Sequence, residues 1–309
     1  MRRMQTAPSA GIRIADRVRA AVAAGRPVLA LESTILTHGL PRPRNLEVGL
    51  ETEALVREAG VEPATIGVVD GVPTVGLETS EIELLCASES VVKASTRDLP
   101  VARARRLDAG TTVAATAWLA HRAGIRVFST GGLGGVHRGA NTTFDESADL
   151  PALSATPITV VSAGVKSILD IPATLERLET LGITVVGYRT DRYPGFYVAD
   201  SGFPVPARVE SATDAADVAR ARDELGLDAA VLVANPIAES DQLDPAEHER
   251  VLAEALSAAD AAGVTGHDTT PFLLDLVQRA TGGRSLEVNL AVYRGNARLG
   301  AEIARDLAG

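Results

Sequence analysis

Lysine is nearly absent from this 309-residue chain: of its 30 basic residues only Lys93 and Lys166 are lysines, and the other 28 are arginines. Guanidinium stays protonated and cannot act as a nucleophile, whereas an amine can lose its proton in a desolvated pocket and add to a carbonyl as a Schiff base. A chain so depleted keeps lysine mainly where arginine fails. Cysteine is limited to Cys86, which excludes an intramolecular disulfide and fits a reducing cytoplasm. In EIELLCAS it falls on an amphipathic helical stretch, the setting of a packed core thiol. Aromatic residues make up 3% and the net charge is -10. With few rings to stack on bases and no basic run to meet phosphates, nucleic acid is not expected as a partner. Long apolar runs are missing too, since stretches such as Val28 to Leu31 and Ala229 to Ala234 stop far short of the roughly 18 residues of a membrane span. The opening MRRMQTAPSAG lacks the apolar centre of a secretory signal, so residues 1–10 read as a frayed tail.

What remains is an ordinary globular composition, 46% apolar and 23% charged. Strand-like runs are expected near Val28 to Leu31, Thr65 to Val69, Val91 to Ala94, Val127 to Thr130, Ile158 to Ser162, Thr184 to Tyr188 and Ala229 to Val233. Helical patterns alternate with them, at Arg13 to Ala23, Leu46 to Ala59, Ser80 to Ala87, Val113 to Ala123, Ser167 to Leu181, Ala215 to Glu224, Pro245 to Ala261, Pro271 to Ala280 and Leu286 to Leu307. No repeat or linker interrupts the series. The expected fold is a single domain, residues 11–309, built as a three-layer α/β/α sandwich around a mostly parallel, mixed sheet.

Ligands of such sheets sit beyond the carboxyl ends of the strands. Those ends carry Glu32-Ser33-Thr34, Lys93-Ala94-Ser95, Ser129-Thr130-Gly131-Gly132 and, through Ser162-Ala163-Gly164, Lys166. Glu32 follows a wholly apolar run, so burial should raise its pKa and suit it to general acid work, although a structural carboxylate paired with arginine fits as well. The run STGGLGGVHRGANTTFDESADL has closely spaced glycines that let backbone amides turn toward an anion. It is not a dinucleotide fingerprint, because His137 stands where a third glycine is needed, and GVKS is not a phosphate-binding P-loop. Asp145, Glu146 and Asp149, with Ser147 between them, suit a hard cation such as Mg or Mn, or equally a solvated acidic turn. A structural zinc site is disfavoured, and His121 on an apolar helix reads as a packing residue. Thr111-Thr112 introduce the helix at Val113, where a bare amino terminus could receive phosphate or an ordinary N-cap could form. Asn289, among Leu286, Val288 and Leu290, could read a base edge or make a structural hydrogen bond.

Together these segments resemble the pseudouridine-5'-phosphate glycosidases, also called indigoidine synthase A-like. The resemblance runs from about Ala30 to Ala304 and is carried by ALESTILTHGLPRPRN, PATIGVVDG, KASTRDL, AGTTVAATAWLAHRAGI, TGGLGGVHRGANTTFDESADL, AGVKSILD, ANPI and TPFLLDLVQRATGGRSLEVN. It implies reversible cleavage of the carbon-carbon glycosidic bond of pseudouridine 5'-phosphate to ribose 5-phosphate and uracil. By the same resemblance the ribose ring opens, Lys166 bonds to C1', and Glu32 protonates the uracil carbon. Asp145 would hold a divalent metal, usually manganese, and Ser147, Ala148 and Asp149 would line the ribose phosphate region. Lys93 and Val113 match further substrate contacts, with Thr112, Thr130, His137 and Asn289 beside them. A homotrimer and a pathway link to a pseudouridine kinase are also implied. Thr96, Ala238 and His267 depart from residues common in the family. Another Schiff-base sugar-phosphate lyase, or a sensor that only binds sugar phosphate, are the alternatives.

Overall fold

The computed structural model describes residues 11–264 and 269–309, so the expected tail and the departure at His267 lie outside the described residues. The strands are β1 (Arg13–Ile14), β2 (Val28–Leu31), β3 (Glu62–Val69), β4 (Val72–Val75), β5 (Val92–Ala94), β6 (Ala109–Thr111), β7 (Val127–Ser129), β8 (Thr159–Ser162), β9 (Thr184–Tyr188), β10 (Ala207–Val209) and β11 (Val231–Ala234). The helices are α1 (Asp16–Ala23), α2 (Arg44–Glu58), α3 (Thr79–Ala87), α4 (Leu99–Arg105), α5 (Val113–Arg122), α6 (Ala140–Thr143), α7 (Asp149–Ser154), α8 (Ile171–Thr180), α9 (Ala212–Leu225), α10 (Pro245–Ala262), α11 (Thr269–Ala280) and α12 (Arg284–Ala308).

The sheet runs in the order β1-β4-β3-β2-β7-β8-β11-β9-β10, with β6 pairing β3 and β5 pairing β6 at one side. Every pairing is parallel except β3 with β4 and β3 with β6. Alternate residues of the central strands feed two different cores, as the strand period requires. Val28, Ala30, Phe128, Val160 and Leu232 pack with α1, α5, α8, α10 and α11, whereas Leu29, Leu31, Val127, Val161, Val231 and Val233 pack with α9 and α12. Both faces of the sheet are covered, which is the expected three-layer mixed α/β/α architecture. Cys86 sits in the core at 2% exposure, and burial pushes its thiol up to about 11.

Several local expectations are corrected. Residues Arg13 and Ile14 form a short edge strand instead of the first helical turn, because they pair in parallel with Thr74 and Val75. The helix expected from Ser167 starts at Ile171, where the Asp170 side chain accepts from the Ala173 N–H and proline occupies the first turn; residues 167–168 are a turn and Asp170 bridges to Val136. Lys93 lies within β5 in register with Gly110, not beyond a strand end. His121 is exposed on the last turn of α5 and is not a packing residue.

Candidate active site

After β2 the chain builds outward on one side, through β3, and later returns on the other, through β7 and β8. The crevice beyond the carboxyl ends of β2 and β7 is therefore the switch point at which ligands of open parallel sheets bind. Glu32 follows β2 there and Thr130 follows β7. Glu32 is only 8% exposed, and burial raises its carboxyl above the ordinary value. Lys166, the Thr130 hydroxyl and Lys93 pull it down, and Asp149 pushes it further up. Thr130 donates its hydroxyl hydrogen bond to Glu32 Oε1.

Lys166 reaches the same crevice from the turn after β8. That turn needs Gly164, whose φ of +83° is costly for other residues and whose added Cβ would lie 2.4 Å from the Pro194 carbonyl oxygen. The Lys166 N–H donates to the Leu133 carbonyl at 3.1 Å, tying the lysine to the glycine-rich segment after β7. Lys93 is exposed as a whole residue, yet partial burial of its amine and the nearby Lys166 charge lower its pKa, against Asp149 and Glu32. Both lysines, Glu32 and Asp149 thus share one electrostatic neighbourhood.

The glycine-rich segment does meet an anion, and the anion is the protein's own Asp149. Its Oδ1 accepts from the Ala114 N–H in the first turn of α5 and its Oδ2 from the Gly134 N–H, each at 2.9 Å. A Cβ at Gly134 would lie 2.2 Å from Ser147 Oγ and 2.8 Å from Asp149 Oδ2, so only glycine fits there. Asp149 also opens α7, preceded by Ser147 and by Ala148 at the cap position. Thr112, at the N-cap of α5, makes no capping bond, and its buried hydroxyl has no partner among the described residues. The cap is supplied by Asp149 from another segment.

The acidic residues expected to cluster are instead drawn apart. Glu146 pairs with Arg177 at 2.9 Å, Asp149 is committed to two amides, and only Asp145 stays near His137, with Nδ1 to Oδ2 at 3.8 Å. Among the described residues no three His, Cys, Asp or Glu side chains converge as a metal cage. Asp145 nevertheless suits a hard cation that keeps most of its waters and is bound through a single carboxylate. Asn289 is half-buried on α12, its Oδ1 3.5 Å from where a Cβ of Gly131 would stand.

The family model described as indigoidine synthase A like protein matches residues 17–306. The chain belongs to the indigoidine synthase A-like family. Within that family it is 64% identical over 296 residues to a pseudouridine-5'-phosphate glycosidase of Saccharopolyspora erythraea, covering 96% of this chain and 98% of the relative. A protein of the same name from Frankia alni is 57% identical, covering 94% and 81%. Among solved structures, the prealnumycin C-glycosynthase AlnA in complex with ribulose 5-phosphate superposes with a TM-score of 0.91 at 39% identity, covering 97% of this chain and 98% of that one. An indigoidine synthase A-like protein from Thermotoga maritima gives 0.88 at 37%, covering 98% and 99%.

Some residues of the site of this family member escape sequence reading. Asn296, Asn235 and Thr174 all bond to or near the strand-end turns. The Thr174 hydroxyl accepts from the Val136 N–H at 2.9 Å and donates to the Asp170 carbonyl at 2.6 Å. The one available signal was polar residues on otherwise apolar helix faces, Asn296 lying two turns beyond Asn289.

Proposed function

We propose that this chain reversibly cleaves the carbon-carbon glycosidic bond of pseudouridine 5'-phosphate, giving uracil and ribose 5-phosphate. The observation that carries the reading is the meeting of a buried acid, Glu32, with the amine of Lys166 at the switch point of the sheet. The names of the glycosidase relatives and of the C-glycosynthase neighbour support it.

A carbon leaving group cannot depart as an alkoxide would, so the chemistry needs an electron source at C1' and a proton on the base. In the proposed sequence the C1'–O4' bond breaks and O4' takes a proton, while Lys166 Nζ gives up a proton and bonds to C1'. Glu32 then protonates uracil C5, the C1'–C5 bond breaks, and the nitrogen lone pair forms the C1'=N iminium. Water adds to C1' and the amine leaves, so substrate and one water become ribose 5-phosphate and uracil. Burial raises the pKa of Glu32 and so favours its protonated form, the form a general acid needs. The unpartnered Thr112 hydroxyl and Val113 at the head of α5, with Lys93, are the proposed contacts for the substrate on one side. Ser147 and Ala148 are assigned to the ribose phosphate region and Asn289 to the uracil edge. Asp149, bound to Ala114 and Gly134, is proposed to shape that region without offering phosphate a positive slot.

Asp145 would hold a manganese-like cation, and His137 beside it is a proposed substrate contact. When bound, such a cation would offset negative charge on the phosphate-bearing substrate. A homotrimer, a cytoplasmic setting and a kinase that supplies pseudouridine 5'-phosphate complete the proposal. No helix among the described residues is long and apolar enough to cross a membrane.

The test is an ultraviolet assay of uracil release, with and without manganese, beside simple sugar phosphates as competing substrates. Borohydride with ribose 5-phosphate should add a reduced sugar phosphate to Lys166, seen as a mass increase on its peptide. Uracil release without that adduct would remove the covalent role of Lys166; no uracil release at all would remove the activity.

A further inference from the structure

The proposed chemistry leaves without a task one buried amide bonded to the turn that carries Thr130. Asn296 is 1% exposed on α12. Its Nδ2 donates to two consecutive carbonyls, those of Thr130 at 2.8 Å and Gly131 at 3.1 Å. Its Oδ1 accepts from Asn235 Nδ2 at 2.9 Å. Asn235 follows β11, and its own N–H donates to the Ser162 carbonyl at the end of β8 at 2.8 Å. On the other side of the same turn the Thr130 N–H donates to the Val161 carbonyl at 3.0 Å, and the Gly131 carbonyl accepts from the Ala163 N–H at 2.9 Å.

The Thr130 backbone is therefore clamped from both sides, by β8 through its N–H and by Asn296 through its carbonyl. The remaining freedom is the side-chain torsion, and that side chain donates to Glu32. An amide buried so deeply needs partners, but a partner needed only for stability could lie anywhere along α12. This one grips the residue that bonds the acid, and a second asparagine fixes which of its ends faces the turn.

We propose that Asn296, held in orientation by Asn235, is a positioning residue that aims the Thr130 hydroxyl at Glu32 and so sets how readily the acid gives up its proton. The turnover readout rests on the function proposed above, whereas titration of Glu32 in the free protein does not.

The variants are Asn296→Leu, which removes the donors without adding charge, Asn235→Leu, Thr130→Val, and the double variant Asn296→Leu with Thr130→Val. Asn235 lines an open cleft of about 320 Å³, so its replacement spares the packing if Asn296→Leu fails to fold. Losing the aimed hydroxyl raises the proton affinity of Glu32. In Asn296→Leu the limb on which uracil release falls with rising pH should move to higher pH, to a proton concentration about threefold to tenfold lower, with kcat reduced about tenfold and KM within about twofold. Asn235→Leu should move it the same way by less. In the Thr130→Val background Asn296→Leu should add less than about twofold, since both act through one hydroxyl. An unmoved limb in Asn296→Leu, or in Asn235→Leu alone if that is the variant that folds, overturns the proposal, and so does full additivity with Thr130→Val. If the wild type releases no uracil, the function fails instead. The inference is then read by 13C titration of the Glu32 carboxyl, assigned with Glu32→Gln, where equal titration in wild type and Asn296→Leu, or Asn235→Leu in its place, overturns it.

Discussion

The surroundings of Glu32 disfavour its charged form, and that should show in stability as well as in catalysis. Burial lifts its pKa in the folded chain above the value it has when unfolded. The folded state therefore binds the proton more tightly. The stability this confers is complete below the ordinary glutamate pKa of about 4.3 and is lost as pH rises from there through the raised folded value. Replacing Glu32 by Gln removes the buried ionisable carboxyl without changing shape. At pH 7 the variant should be more stable than wild type by about 0.5–2 kcal/mol, with the gain vanishing near pH 4, while uracil release falls by about 10²–10⁴-fold. Urea denaturation at the two pH values checks the first part, and equal stability at pH 7 would contradict it. At this scale much of the site was legible in the sequence. Two lysines in an arginine-rich chain and a carboxylate after an apolar strand are visible without coordinates. Asn296 was not, because its partners are backbone carbonyls 166 and 165 positions away, and backbone carries no sequence label. The acidic triplet misled for a related reason: neighbours in sequence left for Arg177 and for the amides of α5 and the glycine turn.

Most of the legible strands are buried on both faces, β5 being the exception. β2, β8 and β11 are covered on both sides; β2 and β11 read as short continuous apolar runs, and β8 carries the apolar pair Val160-Val161. The edge pair β1 and β10, of 2 and 3 residues, and the proline- and glycine-containing β4 and β6 have no such run, so nothing marked them. The start of α8 was misplaced because the turn that presents Lys166 shares its polar and apolar spacing with a helix, and only the Asp170 cap separates them. That junction also carries Thr174, whose hydroxyl joins α8 to the glycine-rich segment. Thr174 is fully buried, so Thr174→Val keeps the shape but leaves the Val136 N–H without its acceptor. The expected cost is about 1–3 kcal/mol of stability, with a loss of activity larger than that of an exposed change such as Arg177→Ala. Thermal unfolding beside the uracil assay checks both, and unchanged stability in Thr174→Val would show that the segment is held elsewhere.

The alternation of strands and helices announced the layered fold, but strand order lies in pairings between distant segments, which local pattern does not encode. The resulting connectivity makes a claim about the whole molecule. The strands form one hydrogen-bonded sheet from β1 to β10, and α12 lies across its middle, touching β2, β7, β8, α2 and α9. An edge of the sheet cannot be removed without exposing a core that α12 or α5 also seals. The chain is thus expected to unfold as one cooperative domain despite its length. The test compares two probes in urea: far-ultraviolet circular dichroism, which reports the helices throughout, and fluorescence of Trp118, the chain's one tryptophan, on α5 near β3 and β7. Coincident transitions with one midpoint are expected. An earlier fluorescence transition with dichroism largely retained would mean that the β3 side of the sheet melts alone, and that the crevice holding Glu32 and Lys166 lies on a boundary between two units.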